Sequence, residues 1–224
     1  MNNQAHVSTA RRGESVIQTN KVLRNTYMLL GLTLAFSAFT AFLSASMNLP
    51  HPGLIITLVG FYGLLFLVHK TSDSAWGLLS TFALTGFMGY TLGPILGMIS
   101  AIGPQGAEII MTALGGTALI FFSLSAYVLT TKKDMSFLGG MMVAGFFVII
   151  ALFIANLFLN MPILGLALSG LFILFSAGAI LMQTSAIVRG GERNYVLATV
   201  TLYVSIYNIF VSLLNILMAF GGDE

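Results

Sequence analysis

The sequence predicts an all-α membrane protein with seven transmembrane helices, its N-terminus cytoplasmic and its C-terminus periplasmic. Three observations carry this. Of the 224 residues, 57% are hydrophobic and only 7% are charged, whereas a soluble domain carries roughly 25% charged residues. So few charges cannot solvate a surface of this size, and the outer face must meet lipid. Seven apolar stretches come close to or exceed the ~20 residues that cross a bilayer. All nine Lys and Arg residues precede the first stretch or fall on every second connection after it.

The stretches run from Tyr27 to Met47, Gly53 to His69, Trp76 to Ser100, Glu108 to Thr130, Phe137 to Asn160, Ile163 to Gln183 and Val196 to Phe220. Pro50, Pro52, Gly103, Pro104, Pro162, Gly190 and Gly191 punctuate the short connections, as residues that interrupt or turn a helix. No connection has room for a soluble domain. Residues 1–26 are polar and cannot bury enough surface to order themselves, so they read as a flexible cytoplasmic tail. The bundle then covers 27–220, and 221–224 form a short periplasmic tail. A cleavable signal peptide is not expected, because the first apolar run exceeds an h-region of roughly 7–15 residues. Ser44-Ala45-Ser46 reads better as small residues at a helix end than as a cleavage site.

Orientation rests on the cations. Arg11, Arg12, Lys21 and Arg24 precede the first helix, and Lys70 follows the second. Lys132 and Lys133 follow the fourth, and Arg189 and Arg193 follow the sixth. Cytoplasmic connections collect Lys and Arg, so these segments lie inside and Asp223 and Glu224 lie outside. Adding or removing one helix would destroy the alternation, which therefore supports the helix count as well. The N-terminal segment has a second reading beyond topology, as a handle for a cytosolic partner.

Several functions are disfavoured. Cysteine is absent, which removes disulfides and thiolate metal sites. The net charge of +2 comes from short separated segments and forms no nucleic-acid patch. The seven acids Glu14, Asp73, Glu108, Asp134, Glu192, Asp223 and Glu224, with His6, His51 and His69, map to tails, connections or helix ends. Glu108 reads as the first residue of the fourth helix, where a carboxylate suits the positive end of the dipole. H-E-x-x-H, G-x-x-x-x-G-K-[ST] and G-x-S-x-G are missing. No histidine or aspartate pair lies at depth to run serine or aspartyl chemistry. An enzyme, a cofactor and a bound metal are therefore not expected.

The uncharged polar residues are patterned. Thr201, Ser205, Asn208, Ser212 and Asn215 share one face of the last helix, and Ser169, Ser176 and Gln183 share one face of the sixth. Spacing alone favours interhelical hydrogen bonding over a wetted pathway between these two helices. Gly89, Gly93 and Gly97 form overlapping G-x-x-x-G steps that let another backbone approach, within the monomer rather than at a dimer seam. Gly115-Gly116 and Gly139-Gly140 read as further close-packing points. Pro94 predicts a kink in the third helix.

The segments Lys21-Val22-Leu23-Arg24-Asn25-Thr26-Tyr27, Gly115-Gly116-Thr117-Ala118-Leu119, Tyr127-Val128-Leu129-Thr130-Thr131, Lys133-Asp134-Met135-Ser136-Phe137-Leu138-Gly139-Gly140 and Leu202-Tyr203-Val204-Ser205-Ile206-Tyr207-Asn208-Ile209-Phe210 resemble the Bax inhibitor family. They resemble most the bacterial branch that modulates the ATP-dependent membrane protease FtsH. The resemblance covers nearly the whole chain beyond the N-terminal segment. It implies a seven-helix protein of a Gram-negative inner membrane that inhibits FtsH as a slow substrate, with HflK and HflC as possible further partners. On that reading the N-terminal segment, with Arg11, Arg12, Lys21 and Arg24, is the handle the protease engages.

Other family members behave as pH-sensitive calcium leaks, an activity tied to two aspartates. The first falls at Gln183 of Leu181-Met182-Gln183-Thr184, and the second at Ser205. Neither residue titrates, and neither supplies the charge a hard divalent cation prefers. The resemblance therefore implies a leak of ions or small solutes lined by Gln183, Ser205 and Asn208 only as an alternative, with the calcium activity in doubt.

Overall fold

A computed structural model describes the backbone of residues 3–159 and 161–221 and the side chains from Thr19 onward, apart from Asn160. The expected helix end at Asn160 and the tail residues Asp223 and Glu224 lie outside the described residues. Seven α-helices follow in order: α1 Asn3–Ser46, α2 Gly53–Thr71, α3 Trp76–Ser100, α4 Pro104–Thr131, α5 Leu138–Leu159, α6 Pro162–Val188 and α7 Tyr195–Gly221. All seven are long and apolar enough to cross a membrane.

Three boundaries differ from the sequence expectation, each for a local reason. The backbone does not break at Tyr27. No Gly or Pro lies between Glu14 and Leu30, so α1 runs on through the segment expected to be a tail. Its burial also starts early: Thr26 is fully buried, and its carbonyl accepts the Thr199 hydroxyl of α7 at 3.2 Å. At 44 residues, α1 is roughly 66 Å long, about twice the hydrocarbon thickness of ~30 Å. The second boundary is the start of α4, where Gly103 takes φ +90° and Pro104 occupies the first turn. Proline is preorganised for that place, since its missing N–H would have no intrahelical partner there. Glu108 therefore sits one turn inside the helix rather than at its head. Third, α6 extends past Gln183 to Val188, because Thr184 and Ser185 are buried among neighbouring helices rather than solvated.

Helix α7 is the axis. In its most apolar stretch 61% of the residues are buried, against 6% in α2 and α5. Helices α1, α3, α4 and α6 pack around it, α2 leans on α3, and α5 packs on α6 alone. The outer faces carry large apolar side chains such as Ile55, Phe66, Phe147 and Phe158, as a lipid-facing surface requires.

Helices α1 and α3 approach each other closely. A methyl group at Gly89 would overlap the Thr40 hydroxyl and the Ser37 carbonyl, and one at Gly93 would overlap Ser44. Both glycines are therefore packing points within the chain. Gly97 continues the motif but has open space beside it, as do Gly115 and Gly140, while a methyl group at Gly116 would stand 3.1 Å from the Leu213 side chain. The close-packing expectation thus holds for one glycine of the Gly115-Gly116 pair, because the other turns away from its neighbours. Pro94 lies inside α3, which stays helical to Ser100.

Candidate functional site

Four connections or helix ends meet where α1 enters the bundle, and each has a local cause. Helix α4 stops at Lys132, which takes the left-handed conformation (φ 52°) and returns its N–H to the Val128 carbonyl. Helix α6 stops at Gly190 (φ 75°), followed by the N–H of Gly191 on the Ala186 carbonyl at 2.9 Å. Glycine at that φ closes a helix C-terminus without Cβ strain. Asn194 then caps α7, its Oδ1 accepting the N–H groups of Val196 and Leu197 at 2.9 and 3.2 Å. Its Nδ2 donates to Asp73 in the α2–α3 connection at 2.9 Å. The Ser185 hydroxyl donates to the Lys133 carbonyl at 3.0 Å and accepts the Met135 N–H at 3.1 Å, holding the α4–α5 connection against α6.

These elements enclose an open cleft of about 920 Å³, lined on its polar side by Thr19, Asn20, Lys21, Lys132, Arg189 and Arg193. Val22, Leu23, Leu129, Val188 and Tyr195 supply apolar walls, and Glu192 is the one acid in the lining among the described residues. Glu192 is engaged locally, accepting the Asn194 N–H at 2.7 Å. Arg189 pairs with Asp134 at 3.1 Å, both half-exposed. The Asp134 carboxyl is held below the usual carboxylate range, first by the Ser136 N–H at 2.9 Å and to a lesser degree by Arg189. Lys21, Lys132 and Arg193 have no carboxylate within ion-pairing distance among the described residues. The cleft therefore attracts anions and repels cations.

The residues singled out from sequence are dispersed. Lys21 lines the cleft, and Arg24 is exposed outside it. Arg11 and Arg12 lie on the N-terminal part of α1, where the backbone alone is described. Gln183 is partly buried, its Nε2 without a partner; Ser205 is buried and donates back to the Thr201 carbonyl at 2.8 Å; Asn208 is partly buried. None of these three lines the cleft.

The polar stripes do not join α6 to α7: among the described residues no side-chain hydrogen bond links those helices. Helix α7 is fastened instead by two tyrosines that stripe reasoning passed over. Tyr203 is 1% exposed, its hydroxyl 2.6 Å from Ser37 Oγ of α1 and 3.2 Å from the Thr85 carbonyl of α3. The Tyr207 hydroxyl lies 3.1 Å from Thr91 Oγ1 of α3. The available signal was two tyrosines four residues apart in the middle of an apolar helix, where a buried hydroxyl needs a partner.

The fold and its basic rim define a seven-helix, multi-pass membrane protein. The family described as "Inhibitor of apoptosis-promoting Bax1" matches residues 19–222, and the chain belongs to this Bax inhibitor family. It is 60% identical to the "Modulator of FtsH protease YccA" of Escherichia coli K12, over 94% of this chain and 95% of that one. The corresponding protein of an O6:H1 strain, at the same identity and coverage, carries the name "Inner membrane protein YccA". An uncharacterized protein of Pseudomonas aeruginosa is 58% identical over 92% of this chain and 93% of its own. The chain is accordingly a multi-pass protein of the bacterial inner membrane.

Proposed function

We propose that this chain is an integral-membrane modulator of an FtsH-type ATP-dependent protease, acting as an inhibitor and slow substrate. The observation that carries the reading is the 60% identity, across 94% of the chain, to a protein named for that role. The architecture supports a mechanical form of it. In this reading the cations place the N-terminus in the cytoplasm and the C-terminus in the periplasm. The protease grips residues 1–18, with Arg11, Arg12, Lys21 and Arg24 near the contact and HflK and HflC as further partners. Helix α1 is continuous from Asn3 to Ser46, so force on its start is delivered along the helix to the α1–α3 seam. Extraction must then part Gly89 and Gly93 from α1 and break the Ser37–Tyr203 hydrogen bond. A bundle that resists at that point occupies the protease and spares other substrates.

Co-purification of the full chain and of a chain lacking residues 1–18 with FtsH from membranes, with degradation of a second membrane substrate followed in parallel, tests this. The full chain is expected to bind and slow degradation, and the shortened chain to fold but not slow it. If neither form binds, the reading has no basis.

A leak of ions or small solutes along α6 and α7 is the second reading. In its favour, Ser176 Oγ, Thr184 Oγ1 and Gln183 Nε2 of α6 are buried without partners. Against a calcium leak stand the uncharged Gln183 and Ser205, and a cationic cleft at one end of the bundle. Calcium flux in liposomes from the Gln183→Asp/Ser205→Asp chain decides it: flux that stays at background removes this reading.

A further inference from the structure

We propose that the basic cleft is a binding site for the phosphate of an anionic phospholipid headgroup, so that one lipid is a ligand of the bundle and not merely its solvent. The proposal does not depend on protease modulation.

The charge comes first. Lys21, Lys132 and Arg193 come from three separate segments and converge on one cavity, with no carboxylate in ion-pairing distance of any of them among the described residues. Such a cluster repels itself until an anion occupies it, and phosphate oxygens suit both guanidinium and ammonium donors. The level of the cleft selects a lipid. Its walls are the last turns of α4 and α6 and the first turn of α7, helices that span the membrane by length and composition. Exposed Trp76 and Tyr127 stand at the same end, as aromatic residues do at the headgroup boundary. Basic pockets between spanning helices at this depth characteristically take anionic headgroups.

The lining is also amphipathic, since Val22, Leu23, Leu129 and Val188 share the cavity with the cations. A soluble anion has no use for such walls, whereas a lipid presents its glycerol and upper acyl carbons to them. The interior behind the apolar lining adds a fourth observation. Residues four apart share a helix face, and one turn deeper than those apolar residues lie Thr26, Tyr27, Ser125 and Thr184 on the same faces. Among the described residues the hydroxyl of each is buried without a partner, and none of the four lines the cleft itself. A headgroup bearing hydroxyls beside its phosphate, as phosphatidylglycerol does, meets the cations together with the polar lining of Thr19 and Asn20.

The test is thermal unfolding of the purified full chain in neutral detergent, titrated with phosphatidylglycerol, with phosphatidylcholine, or with millimolar inorganic phosphate. Phosphatidylglycerol is expected to raise the midpoint and the other two to leave it unchanged. Lys132→Gln/Arg193→Gln should weaken the apparent lipid affinity roughly tenfold or more. Lys70→Gln/Lys133→Gln, which removes the same charge from the same end but outside the cleft, should leave it unaltered. Equal shifts from both lipids, or an unaltered response in the cleft variant, would overturn the proposal. A shift reproduced by inorganic phosphate alone would overturn the lipid source and make this a soluble-anion site. Should the double variant not fold, native mass spectrometry of the unmodified chain decides: retained phosphatidylglycerol in preference to phosphatidylcholine supports the site, and equal retention sinks it.

Discussion

On the α1–α3–α7 side of the bundle, below the unpartnered Thr26 and Tyr27 hydroxyls at its cleft end, four contacts join helices: Ser37 with Tyr203, Tyr203 with the Thr85 carbonyl, Thr91 with Tyr207, and Thr199 with the Thr26 carbonyl. On the α4–α6 side, the oxygens of Ser125, Ser176 and Thr184 and the Gln183 amide nitrogen are also buried, and among the described residues they have no partner. Both regions sit in the same seven-helix bundle and are built from the same residue types. In the first, polar atoms and glycines close a dry seam. In the second, no protein group answers them, and a buried polar atom in that position is served by water or ligand. The seam is therefore where the helices are locked to one another, and the α4–α6 side, which lies beside the cleft at its basic end, is where polar atoms are left for water or a ligand.

The largest effect should come from forcing the seam open. Gly89→Leu places a side chain where even a methyl would overlap Thr40 and Ser37. Overpacking of this kind costs about 1–3 kcal/mol, occasionally more, and the chain is expected to lose its folded, monodisperse peak in detergent chromatography. Gly97→Leu, on the same helix but beside open space, should run as the unmodified chain does. Equal behaviour of the two would mean that α1 and α3 do not meet as described.

Removing single hydroxyls gives an intermediate effect of opposite sign on the two sides. Tyr203→Phe leaves Ser37 and the Thr85 carbonyl short of a partner and should destabilise by about 0.5–1.5 kcal/mol. Under the modulator reading, the same change should also speed degradation by FtsH, since it weakens the point where extraction stalls. Ser176→Ala removes a buried hydroxyl that already lacks a partner, so it should be neutral or mildly stabilising. Thermal unfolding of both variants in one detergent checks the pair, and a loss from Ser176→Ala matching that from Tyr203→Phe would erase the distinction between the regions.

The difference between the regions also explains what could be read from the chain alone. Helix number and most boundaries were visible because membrane spanning is a property of contiguous apolar length, and the cations alternate with the connections. The glycine step at Gly89 and Gly93 was legible for the same reason: close approach leaves its mark on one helix. Partner choice leaves no such mark. Ser37 and Tyr203 are 166 residues apart, and nothing in either neighbourhood names the other. The α7 stripe misled because Thr201 and Asn215 face outward while Ser205 and Ser212 are buried, so a regular spacing did not make one buried face. The cleft was hidden differently. In the sequence Lys132, Arg189 and Arg193 read as signals of topology, and Lys21 as topology and as part of the N-terminal handle. Only folding brings Thr19 and Tyr195 to one cavity.

The smallest expected effect concerns the clasp at the rim of the cleft, where Asp134 accepts the Ser136 N–H and pairs with Arg189. Its carboxyl titrates below its ordinary value in the folded chain, so the folded state holds the proton less tightly than the unfolded state does. The stabilisation is then complete above the unfolded carboxylate range and is lost as pH falls through the lowered folded value. Asp134→Asn should therefore lower the melting temperature slightly at neutral pH, with the gap to the unmodified chain closing as pH falls through and below the ordinary carboxylate range. The pair is exposed, so the gap should also shrink with added salt. A gap that stays constant with pH would assign the role of Asp134 to shape rather than charge. The α4–α5 connection would then be held by the uncharged Ser185 bonds alone, and the rim of the cleft would share the closed, proton-insensitive character of the seam.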